Sequence, residues 1–140
     1  MKIFSLILVA FLIARCNSKP GARSKSIEDS VRIKQYADSF KIGKSLFANY
    51  CEQCHSSPEK HLTDQYLFDN LFDKMPSPSE DFFVKYVQDS KFLKASGDKY
   101  AIELSKLYDT PYEHRFKDSL THEEILELML FLKITTKSKH

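Results

Sequence analysis

An all-α fold, a small helical domain, is predicted for this chain on three observations. Apolar residues return at intervals of three and four along the chain after residue 38, helix-capping signals stand ahead of several of those stretches, and no alternating run of strand length occurs. No internal repeat is present either.

The elements follow in order. From Asp38 to Tyr50, the apolar Phe40, Leu46, Phe47 and Tyr50 share helical spacing, with Gly43 four residues ahead of Phe47, and this helix runs into the sequence "YCEQCHSS". A short apolar run, Tyr66 to Phe72, stops at "MPSPS". Ser77 as N-cap, Pro78 at the first helical position and Glu80 as capping-box acid then predict a helix carrying Phe82, Phe83, Tyr86, Val87 and Leu93, which Gly97 ends. Asp98 caps the next, with Tyr100, Leu104, Leu107 and Tyr108, and "DTP" breaks it before Pro111. After the loop "PYEHRFKDS", a second capping box, Thr121 and Glu124, opens a last helix with Ile125, Leu128, Met129 and Leu132 on one face.

With 140 residues, the chain has room for one domain and a modest core. Residues 1–16 read as an export signal. Ile3 to Ala14 is almost wholly apolar behind Lys2, and too short to cross a bilayer comfortably as a helix. Residues 17–30, polar, basic and rich in small side chains, read as a flexible tether, and residues 31–136 as the folded domain. Cys16 stands where a lipoprotein signal places the lipidated cysteine. "LIARC" resembles such a lipobox at Leu12, Ile13, Ala14 and Cys16, with Arg15 in the place of a small residue. An exported protein of the periplasm or cell envelope, membrane-associated through this signal or a lipid on Cys16, is the expectation.

The net charge of +2 belongs to the signal: without Lys2 and Arg15 the 21 basic residues become 19, equal to the 19 acidic ones. Lysines alternate with acids as on solvated helix faces, so no nucleic-acid surface is expected. Three glycines, none paired, argue against a phosphate-cradling loop.

Cys51 and Cys54, followed at once by His55, suit three chemistries: a redox disulfide, half a zinc site, or covalent haem attachment. A thioredoxin-like pair needs a strand before it and a helix after it, and here a helix precedes. A structural zinc needs four ligands, and Cys51, Cys54 and either His55 or His61 supply three. Plain oxidation to a structural disulfide remains for an exported pair. The adjacent histidine favours haem. Two cysteines three positions apart can reach both vinyl edges of one porphyrin, and the next residue can set an imidazole on the iron. One covalent haem c, held by Cys51 and Cys54 with His55 as proximal iron ligand, is the cofactor expected. The 11 phenylalanines and 7 tyrosines suit the walls of a large flat group as well as a core.

From these residues the chain resembles the monohaem cytochrome c family over about residues 39 to 134. Beyond the motif, Gly43 and Phe47 match the glycine and aromatic of that family's first helix, and Leu128 with Phe131 matches the leucine and aromatic of its last. The resemblance implies that these pairs pack where the two helices cross. It also implies a cytochrome c-like helical domain around one covalently bound haem, and a sixth iron ligand in the segment before the last helix. Of the family's Gly-Pro-x-Leu stretch after the haem histidine, only Pro58 is present.

Two residues compete for the sixth position. His114, the strong iron donor of the "PYEHRF" loop, stands in the right order along the chain, whereas Met75 precedes Pro76 as axial methionines often precede a proline, only 20 residues beyond His55. Order favours His114, Met75 is the alternative, and an open position is a third reading. Met129 reads as core, and His61, His122 and His140 receive no role.

The expected function is one-electron transfer outside the cytoplasm, with no residue required as acid, base or nucleophile. The resemblance implies redox protein partners: a respiratory oxidase, reductase or dehydrogenase. A haem domain that binds or senses a small ligand, gas or peroxide, is the alternative. A zinc-stabilised exported interaction module stands behind both.

Overall fold

The computed structural model describes residues 20–60, 68, 70–107 and 113–136. The export signal with Cys16, the first tether residues, His61 and His140 lie outside the described residues. Five helices occur in the order α1 (Pro20–Leu46), α2 (Leu71–Lys74), α3 (Ser79–Ala95), α4 (Lys99–Ser105) and α5 (His122–Thr135), and among the described residues there is no strand. A π-helical turn, Phe47–Cys51, continues α1 into the cysteine motif, and a 3-10 turn spans Pro58–Lys60.

α1 starts well before Asp38. It enters the stretch read as a tether at Pro20, and from Ile27 to Asp38 every side chain is exposed. Composition reports local preference only. Once Phe40 and its neighbours anchor the helix, each residue added upstream gains a backbone hydrogen bond for little further cost.

The crossing of α1 and α5 builds the core. Gly43 makes it close: a Cβ at that position would stand 2.0 Å from the carbonyl oxygen of Glu127 and 2.9 Å from Cβ of Phe131. Around this contact Phe131 is fully buried, its ring 5.4 Å from that of Phe40 and 5.6 Å from that of Phe47. Leu128, Met129 and Leu132 of α5 and Phe83, Val84 and Val87 of α3 complete the cluster. Burying an aromatic or aliphatic side chain contributes about 1.5–3 kcal/mol relative to exposure, so this crossing dominates the packing. Met129 lies in the core, as its place on the α5 face predicted.

Two caps follow the sequence expectation and one departs from it. Thr121 accepts from the backbone N–H of Glu124, and Glu124 accepts from that of Thr121, a complete capping box. The Asp98 carboxylate accepts from Ala101 N–H, behind Gly97 at φ 85°. Ser77, by contrast, does not cap α3: Pro78, in extended backbone, is the cap residue and supplies no side-chain bond. Glu80 of that expected box instead accepts from Lys133 of α5, whose ammonium also lies 5.3 Å from the centre of the Phe72 ring. The cap thus falls one residue later than the local pattern placed it, and the Glu80 carboxylate serves a tertiary pair.

Candidate functional site

The site begins where α1 ends. Over Phe47–Cys51 the helix widens to a π turn, in which Glu52 N–H donates to the Phe47 carbonyl at 3.0 Å. Such single widened turns often occur beside functional residues. The Cys51 carbonyl then accepts from both Cys54 N–H (3.1 Å) and His55 N–H (2.9 Å), so the CEQCH motif closes on itself as one tight turn. This folding is local. Cys51 and Cys54 are free thiols, the first half-buried and the second exposed, and His55 follows with its ring edge-on to Phe68, 5.3 Å between centres.

The other wall comes from the segment between α4 and α5. His114 stands in non-helical chain ahead of α5, beside Tyr86 of α3 (5.1 Å between rings) and Phe116 (6.1 Å). Its Nδ1 is shut off from solvent. Its backbone is clasped on both sides by Ser90: His114 N–H donates to Ser90 Oγ at 2.9 Å, and Ser90 N–H donates to the His114 carbonyl at 3.0 Å. Glu113, next to it, holds Lys94 at 3.1 Å and Arg115 at 2.5 Å, and these two hydrogen bonds, the arginine's first, keep its carboxyl below the usual range.

The imidazoles of His55 and His114 face each other. Their centres are 6.2 Å apart and their planes differ by 6°. A metal–imidazole bond is about 2.0–2.1 Å and a ring nitrogen lies about 1.1 Å from its ring centre, so two imidazoles bound on opposite sides of one ion stand about 6.3 Å apart. The 6.2 Å between the His55 and His114 ring centres is close to that value.

Protonation agrees with ligation. Burial, and after it the nearby His55, lowers the His114 pKa to about 4, and burial lowers that of His55 as well. Both rings are therefore neutral at pH 7, with a lone pair to give. Burial, then the neighbouring Cys54, pushes the Cys51 thiol up to about 11, the opposite of the depressed thiol that a redox Cys-X-X-Cys pair requires.

Of the residues singled out in the sequence, the structure brings Cys51, Cys54, His55 and His114 to one place. Met75 packs half-buried against the apolar core, and His122 is exposed at the start of α5. No group of three or more His, Cys, Asp or Glu side chains able to hold a metal ion occurs among the described residues. Sequence reasoning missed Ser90. Its trace was a helix-capping pair, Asp89-Ser90, in mid-helix.

No relative decides the matter. No family model matches the chain, and neither does any curated protein or solved structure. No helix of the described residues is long and apolar enough to cross a membrane.

Proposed function

We propose that this chain is an exported one-electron carrier of the monohaem cytochrome c type. Cys51 and Cys54 would hold one haem c through thioethers, and His55 and His114 would ligate its iron. When bound, the haem supplies the reversible ferrous–ferric couple. The chain's own residues would do the rest: the motif turn sets two sulfurs and an imidazole in one short segment, and the Ser90 clasp would hold a second imidazole parallel to the first.

One observation carries the reading. Two neutral, half-buried imidazoles from segments far apart in sequence stand parallel at 6.2 Å beside a free Cys-X-X-Cys pair. The α1–α5 crossing through Gly43 supports it, being the packing that the resemblance implied for Gly43, Phe47, Leu128 and Phe131. The partners would be redox proteins of the cell envelope, reached after export and membrane association through residues 1–16.

The test is a chain matured in an export compartment equipped for haem attachment, then extracted with acidic acetone. Colour that stays on the polypeptide, with a low-spin six-coordinate ferric spectrum, supports the carrier. Haem lost to the solvent overturns it. Covalent but high-spin haem moves the function to small-ligand binding, and zinc without haem moves it to an interaction module.

A further inference from the structure

We propose that the break in α3 at Asp89-Ser90 is the device that holds His114 opposite His55, with Ser90 as positioning residue. In an unbroken helix the N–H of Ser90 would bond to the carbonyl four residues back, at Tyr86. At Asp89 the backbone leaves helical geometry (φ −158°, ψ 83°), and the Ser90 N–H turns to the His114 carbonyl instead. Ser90 Oγ accepts from His114 N–H, so one buried residue, 2% exposed, binds both backbone groups of the histidine.

The same break frees the carbonyls of Val87 and Gln88, which accept from Phe116 N–H (3.3 Å) and Lys117 N–H (3.2 Å). The non-helical segment 114–117 is thus laid along the opened turn by four hydrogen bonds. Asp89 repairs the helix: its carboxylate accepts from Phe92 N–H at 2.9 Å, the geometry of an N-cap, and lies 3.8 Å from Lys117 Nζ. The helix is interrupted on its buried face, recapped at once and fastened to the one segment that carries His114. Its evident product is the fixed height and direction of that imidazole.

The spectroscopic half of the test rests on the haem reading above, and the exchange half does not. Full-length chain matured with the haem-attachment machinery is compared with its Ser90→Ala and Ser90→Thr variants by backbone amide exchange and by the ferric spin state with and without added imidazole. Removing Oγ strands a half-buried N–H, so exchange at His114, Phe116 and Lys117 should quicken about tenfold or more in Ser90→Ala, and Ser90→Thr should restore part of it. A high-spin fraction that added imidazole converts to low-spin should accompany it, with thioether attachment unchanged.

Unaltered exchange at those three amides, or exchange quickened equally throughout the chain, overturns the clasp. Should Ser90→Ala not fold, Asp89→Ala, which loosens the resumed helix from its exposed side, must quicken the same three amides, and its failure to do so is equally decisive against it. A chain that carries no haem removes the proposed function, and the exchange result then decides the clasp alone.

Discussion

Gly43 lies directly against Glu127: a methyl group in place of its hydrogen would sit 2.0 Å from the Glu127 carbonyl oxygen and 2.7 Å from the carbonyl carbon. Both partners are helix backbone, which cannot turn aside as a side chain can. Gly43→Ala must therefore push α1 from α5, at a cost of about 3 kcal/mol or more. Denaturant unfolding of the full chain checks it, and an unchanged midpoint would show that the helices do not meet here.

Phe131 provides the second prediction. Its ring is fully buried between those of Phe40 and Phe47. Phe131→Ala should destabilise by about 3–5 kcal/mol, the range for truncating a buried aromatic. Phe92, on the outer side of α3 and 68% exposed, is the control: Phe92→Ala should stay within about 0.5 kcal/mol.

In haem-loaded protein, His114→Ala should turn the ferric iron high-spin, whereas Met75→Ala should leave it low-spin. The expectation rests on placement, since the His114 ring lies parallel to that of His55 and Met75 packs on the core. A sulfur-to-iron charge-transfer band that Met75→Ala abolishes would give the sixth position to the methionine. Two imidazoles favour ferric iron over a His/Met pair, so a lowered potential belongs with the first outcome.

Acid should unfold the haem-free polypeptide through its histidines. The folded-state pKa of His114 is depressed to about 4, against an ordinary value of 6.5, so the unfolded chain binds the proton first. Stability is full above about pH 6.5 and falls as pH drops toward 4, by a total on the order of 3 kcal/mol for this residue. His55 shifts in the same direction and adds to the slope. Denaturant midpoints between pH 8 and 4 measure it, and His114→Gln should flatten the curve. A curve as steep in that variant as in the parent would assign the acid loss elsewhere.

Much of this molecule was legible in its sequence, because the signals were local. The Thr121 box, the Asp98 cap, the turn at Gly97 and the apolar face of α5 depend on residues within one or two turns of one another. The motif of Cys51, Cys54 and His55 is equally local, and its turn is closed by bonds inside itself. The N-terminal reach of α1 was not legible, since composition alone marks residues 20–30 as polar and small while the helix there propagates from a packed segment downstream. The cap assigned to Ser77 was also misplaced: Pro78 takes that position, and Glu80 pairs with Lys133, 53 residues away.

By itself, then, the sequence determined the helical class and several helix ends, and it singled out residues 51, 54, 55 and 114 as candidates for chemistry. Periodicity, capping and spacing need no knowledge of distant contacts. Only the tertiary structure decided that His114 faces His55 at 6.2 Å, that Gly43 abuts the Glu127 carbonyl, and that α3 breaks at Asp89 to grip the segment carrying His114. Each of these joins groups 24 to 88 residues apart, as Ser90 to His114 and Gly43 to Phe131 show. Their positions follow from how whole helices pack, and no local pattern of residues encodes that.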